Sequence, residues 1–211
     1  MKPNKFSLAC IVCVLVCLFT GAAHADPVTI RFDELPDNTP VNNVSLNGVT
    51  FGFTLNGAAS TDARFRRVGP RNQAYVQCPC LEGAAAGMLT FDFAVPTSTL
   101  SFGLARVTNL NLFPGATVQL FDAGSVLLNT LTIDLVRVPP FDFPEGLFSY
   151  TGVPVGRAVI IFNNPSAALR FALDNLTFDQ PAAPIPEPAT LLLVGTGLAG
   201  IAAIRRRRQQ S

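Results

Sequence analysis

The chain has 211 residues, with 15 Lys and Arg against 14 Asp and Glu and a single histidine. The formal charge of +1 is misleading, because residues 26–187 hold nine arginines against 14 acids, a net charge of −5. A stretch of that charge does not bind nucleic acid generally. It has no His and no Lys, which excludes Ser-His-Asp, Cys-His, Ser-Lys and Schiff-base chemistry and the common histidine-ligated zinc.

Taken in order, the chain opens with Lys2 and Lys5, an apolar stretch from Leu8 to Phe19, and Ala23-His24-Ala25. A basic n-region, an apolar core of secretory length and an A-x-A site predict a signal peptide over 1–25, cut between Ala25 and Asp26. Cys10, Cys13 and Cys17 would leave with it, and none follows a well-placed lipobox.

Residues 26–180 suffice for one core and one domain. Short β-branched and aromatic runs recur between Gly, Pro, Asn and Asp, and no helix is predicted. The expected strands are Val28 to Glu34, Val49 to Leu55, Ala74 to Gln77, Met88 to Ala94, Thr99 to Ala105, Thr117 to Phe121, Val126 to Leu135, Leu147 to Thr151, Arg157 to Phe162 and Arg170 to Phe178. Val28, Ile30 and Phe32 share a face, as do Val49, Phe51 and Phe53, and Leu89, Phe91 and Phe93. About ten strands at this spacing predict an all-β domain, a single jelly-roll-like β-sandwich, with an up-and-down barrel as the alternative. The pair Phe-Asp occurs at 32, 91, 121, 141 and 178; it reads as a buried strand position followed by a turn-capping carboxylate.

Three places in the domain invite a chemical reading. The first strand ends in Asp33-Glu34. In the last, Phe171 and Leu173 have one parity and Leu176 and Phe178 the other, so a bulge is expected at Asp174-Asn175. Cys78 and Cys80 are the domain's whole cysteine complement. After export they are expected to pair as a local staple, the alternatives being a redox switch or an intermolecular link. Arg64, Arg66, Arg67 and Arg71 crowd one stretch beside Gly69 and Pro70. They are expected to form a solvated loop, or else to grip carboxylates of an acidic polymer. Glu34, Glu82 and Glu145 could serve carboxylate catalysis but stand in no motif.

Beyond the domain, Pro181 to Pro188 forms a proline-rich linker ending in Pro186-Glu187-Pro188. Ala189 to Ile204 follows without a charge, and then Arg205, Arg206, Arg207 and Arg208. As a helix the apolar run would span roughly 24 Å, a marginal transmembrane segment over 189–204 with a basic cytoplasmic tail over 205–211. The domain would then lie outside the inner membrane. Gly195 to Gly200 spells G-x-G-x-x-G but lacks the preceding strand and later acid of a dinucleotide site.

This tail resembles the PEP-CTERM sorting signal, whose signature is Pro-Glu-Pro, a short apolar helix and a terminal arginine cluster. The resemblance implies a Gram-negative source, recognition by an exosortase, and delivery to the periplasm, cell surface or exopolysaccharide matrix. The acidic first strand and the last strand's Leu173-Asp174-Asn175-Leu176-Thr177-Phe178 resemble the calcium-stapled jelly rolls of carbohydrate-binding modules and MAM-like domains. That second resemblance implies neighbouring first and last strands and a structural Ca²⁺ held by Asp33, Glu34, Asp174 and Asn175. The resulting expectation is a non-enzymatic envelope or matrix protein, with glycan as its candidate contact and nucleic acid excluded. A carboxylate-dependent glycan hydrolase or lyase is the rival.

Overall fold

The structure, a computed structural model, describes residues 26–69, 73–163 and 169–180. The expected signal peptide and its Ala25–Asp26 cut, Arg71, the linker with Pro186, Glu187 and Pro188, the apolar run and Arg205 to Arg208 lie outside the described residues.

Among the described residues every regular element is a strand. They are β1 (Asp26–Ile30), β2 (Ser45–Leu46), β3 (Val49–Leu55), β4 (Ala58–Ala59), β5 (Arg64–Arg66), β6 (Cys80–Ala84), β7 (Gly87–Arg106), β8 (Leu112–Phe121), β9 (Leu127–Leu135), β10 (Glu145–Phe162) and β11 (Arg170–Gln180). The main ladder runs β5-β6-β11-β7-β10-β8-β9, with β1 added to β11 and β3 to β7. All pairings are antiparallel. Burial alternates along β3, where Val49, Phe51 and Phe53 point inward, and along β7 at Leu89, Phe91 and Phe93.

Two strands are longer than the sequence suggests. The expected strands Met88 to Ala94 and Thr99 to Ala105 are one strand, β7, which continues through Pro96. Leu147 to Thr151 and Arg157 to Phe162 are likewise one strand, β10, with register shifts between Thr151 and Arg157. Proline and glycine suggest a break to a reader of sequence, but a strand that turns a corner uses the same residues. The first half of β7 pairs with β3 and its second half with β11.

Ring distances establish the corner. Phe91 and Phe102 both belong to β7, and straight chain between them would separate them by about 35 Å at roughly 3.3 Å per residue. Their ring centroids lie 6.0 Å apart. Phe53 of β3 and Phe171 of β11, which pair with opposite ends of β7, also meet at 6.0 Å. The sheet therefore doubles over one aromatic core, in which Phe32, Phe51, Phe65, Phe91, Phe102 and Phe171 are almost fully buried. Edge-on and tilted ring contacts such as Phe51 with Phe91 at 5.5 Å supply the volume that Trp would share elsewhere.

The first and last strands are neighbours, from Asp26 opposite Gln180 to Ile30 opposite Leu176. The bulge is also present. On β11 the pairing with β7 passes from Asp174 opposite Gly103 to Thr177 opposite Ser101. Asn175 sits at φ 55°, the left-handed region that asparagine tolerates better than most residues. The expected strand Ala74 to Gln77 is instead irregular chain between β5 and β6. Its N–H groups bond to side chains.

Candidate functional site

Residues 73–79 cross the outer side of the sheet as a strap. Val76 is fully buried and packs with Cys78, Cys80, Ala105 of β7 and Ala172 of β11, a small apolar cluster apart from the main core. Small side chains beneath the strap make this approach possible. A Cβ on Gly103 would stand 2.2 Å from the Tyr75 carbonyl oxygen.

Two buried carboxylates receive the strap's main-chain donors. Glu145, the first residue of β10, accepts from Ala74 N–H at Oε1 and from Tyr75 N–H at Oε2, both at 2.7 Å. Asp174, 3% exposed, accepts from Gln77 N–H at Oδ2 (3.0 Å) and from Asn175 N–H at Oδ1 (2.7 Å). The bulge that sequence parity predicts is what turns Asp174 toward the strap. Burial pushes its carboxyl up to about 6, against the pull of the two N–H groups and of Arg31, with Asp33 adding a repulsive charge. Cys78 and Cys80 are joined in a disulfide at the strap's end. The bond lies within the chain and spans two positions of sequence.

The four expected calcium ligands are placed differently from a clasp. Asp33 is near enough to Asp174 to raise its pKa, but both Asp174 oxygens already accept N–H bonds. Glu34 turns back to accept from Arg31 N–H at 3.0 Å. The Asn175 amide nitrogen donates to Tyr75 O at 3.4 Å and to Asp174 Oδ2 at 3.2 Å. Among the described residues no three Asp, Glu, His or Cys side chains group so as to hold a metal ion. As placed, these four side chains do not converge as a cluster of oxygen ligands for calcium.

Three of the four clustered arginines, Arg64, Arg66 and Arg67, lie among the described residues. Arg64 and Arg66 lie on β5 on either side of buried Phe65 and point outward. Arg64 donates to Asn38 O at 3.2 Å, and Arg66 donates to Asn38 Oδ1 at 3.1 Å and approaches Glu82 at 3.9 Å. Arg67 is exposed, and its main-chain N–H donates to Asp37. Beside them Arg170 bonds Asp62 and Glu82, each at 2.9 Å. Burial raises the Asp62 carboxyl, but bonds from Arg170 and Ala84 N–H, with the charges of Arg170 and Arg64, bring it below the usual range.

Sequence reasoning missed Asp179. Its carboxylate accepts from the hydroxyls of Thr97 and Ser98 and from Thr99 N–H, at the corner where β7 bends. Burial works against ionisation there, yet these bonds hold the group well below the ordinary carboxylate range. The Phe178-Asp179 pair marks a turn-capping acid, but the turn it caps belongs to a strand 80 residues away, which no local pattern reveals.

Residues 184–208 match the PEP-CTERM protein-sorting motif. The chain therefore carries this sorting signal in the segment where its own residues place it. No curated protein matches the chain in sequence. Among solved structures, a family 29 carbohydrate-binding module aligns at TM-score 0.40 and 9% identity, covering 80% of this chain and 98% of that one. A variant of a second family 29 module aligns at TM-score 0.38 and 10% identity, over 78% and 99%. Another variant, complexed with cellulohexaose, gives TM-score 0.39 and 7% identity, over 74% and 93%. Likeness at this level carries no argument about a ligand or site.

Proposed function

We propose that this is an exported, non-enzymatic β-sandwich protein of the cell envelope or exopolysaccharide matrix, handed over by an exosortase and acting through contact with glycan. The observation that carries the reading is the sorting motif at 184–208, attached to an all-β domain. An exosortase substrate is exported, anchored by its C-terminal end and then released or transferred.

The carboxylates support the non-enzymatic part. A glycosidase needs two carboxyls facing one cleft, one to give a proton and one to attack or to activate water. Asp62 and Glu82 share a face, but Arg170 binds both. Asp174 has the raised pKa of a general acid, yet it lies under the strap with its oxygens bonded to N–H groups. Asp92 pairs with Arg157, Asp122 caps its own turn at Val126 N–H, and Asp179 is bonded at the β7 corner. Each of these acids has a structural partner, which argues against the hydrolase or lyase reading.

The test is processing and retention. Mass spectrometry of material released from cells that hold an exosortase is expected to find Asp26 first and Arg205 to Arg208 absent. Removing residues 184–211 is expected to leave no membrane-attached precursor in those cells, while the freed domain still binds their exopolysaccharide. An intact C-terminus in matrix-borne protein, or a domain that does not bind the exopolysaccharide, would overturn the proposal.

A further inference from the structure

Two loops meet at the open end of the β8–β9 pair. Leu112 of β8 pairs with Leu135 of β9, which brings the chain before β8 beside the chain after β9. Arg137 N–H donates to Asn111 Oδ1 at 2.8 Å and locks the two together. Between them lies an open depression of about 340 Å³ lined by Asn109, Leu110, Asn111, Arg137 and Pro139. That volume is within the usual range for small-molecule sites.

Exposed apolar side chains lie in the segments that form it. Leu110 is 68% and Phe113 65% exposed, and Val138 is exposed too. Leu112 points into the core, so Phe113 stands outward beside Asn111. An exposed aromatic ring on the same face as Asn111 combines an apolar platform with amide groups that can hydrogen-bond. Arg137 adds a cation. Its Nε donates to Phe141 O at 3.3 Å, and among the described residues it has no carboxylate partner. Arg157 and Arg170, in contrast, are both paired with acids.

A polyhydroxyl ligand matches the amides and the ring, and a carboxylate matches the guanidinium fork. The net charge of −4 over residues 26–180 repels a dense polyanion. We infer that this depression binds a stretch of exopolysaccharide in which an isolated uronic-acid carboxylate meets Arg137 while neighbouring neutral sugars lie against Leu110 and extend toward the exposed Phe113. The inference rests on the glycan-contact reading and deepens it by naming the surface and the sugar class.

The experiment uses residues 26–180, a compact unit with its own core. The probe is exopolysaccharide from the producing cells, cut to short oligosaccharides, in native and carboxyl-reduced forms. Affinity is read by calorimetry and location by amide chemical shifts. The native oligosaccharide is expected to move the Asn109, Leu110, Asn111 and Arg137 signals. Carboxyl reduction and Arg137→Gln are each expected to weaken binding about ten- to a hundredfold, the loss of one charge-assisted contact. Phe113→Ala is expected to weaken both forms alike, and unchanged melting temperatures would show that the variants fold. Equal affinity for the two forms, or shifts elsewhere that ignore Arg137→Gln and Phe113→Ala, would overturn this site while leaving glycan contact standing. Binding of neither form would overturn both.

Discussion

Asp174 and Gln77 are joined across 97 positions of sequence by one hydrogen bond, the Gln77 N–H donating to Oδ2 at 3.0 Å. That bond explains why a buried acid stands in the middle of β11. The strap has no neighbouring strand to receive its N–H groups, and a buried donor left unmet costs about 1–3 kcal/mol. Asp174→Ala is therefore expected to destabilise the domain by about 2 kcal/mol and lower its melting temperature by about 4 to 8 °C. The pH dependence has a definite sign. The folded pKa of Asp174, about 6, exceeds its ordinary value of 3.8, so the folded state holds this proton more tightly. Its contribution is full below about pH 4 and is lost as pH rises through about 6. Asp179 and Asp62 act oppositely, because their folded pKa values are depressed; their contribution is present above the free value and lost as pH falls. Urea melts from about pH 4 to 7 should show stability falling toward neutrality, and Asp174→Asn should flatten that slope. An unchanged slope in the Asn variant would remove Asp174 as its source.

Gly103 tests the strap from beneath. An added methyl would meet the Tyr75 carbonyl at 2.2 Å, a main-chain atom that moves only if the strap moves. Gly103→Ala is expected to cost about 1–3 kcal/mol by overpacking and to raise amide exchange at Ala74, Tyr75 and Gln77 well above that of β3. Uniform exchange across the domain would mean that the strap is no separate unit.

For Cys78 and Cys80, a loop of two-residue separation removes little chain entropy. Replacing both by Ser should cost about 1.5 kcal/mol, or roughly 3 to 6 °C. A larger fall would show that the disulfide holds more than its own turn.

Calcium has a simple test. A clasp at Asp33, Glu34, Asp174 and Asn175 would raise the melting temperature by several degrees in millimolar Ca²⁺ over chelator. With the Asp174 oxygens bonded to N–H groups, the two melts are expected to agree within about 1 °C. A calcium-dependent rise that Asp174→Asn abolishes would restore the clasp.

What could be read from the sequence was whatever depended on neighbours along the chain. Val49 to Leu55 is a strand with those bounds, because its alternation is unbroken and two turn residues follow it at once, Asn56 and Gly57, both at positive φ. The bulge at Asp174-Asn175 was visible as a change of parity between Phe171 and Phe178. Hidden features were those set by distant partners. Pro96 and Gly152 look like strand ends until one knows that β7 and β10 must turn a corner there. Ala74 to Gln77 has the composition of a strand, but its donors find Glu145 and Asp174 in place of a ladder. The depression beside Arg137 gives no local signal at all, since its two loops are joined through the pairing of β8 and β9.

The position of β11 has a mechanical consequence. The chain leaves the domain at Gln180 on its way to the sorting motif, and at that end β11 is flanked by β1 on one side and β7 on the other. Farther back it is gripped by β6 as well. A pull transmitted through the tail thus falls on an interior strand, with ladders on both flanks sharing the load. An edge strand such as β9 could be peeled away one bond at a time; β11 cannot come out unless several rows give way together. A protein held to a surface by its last residues would keep its fold under drag for that reason.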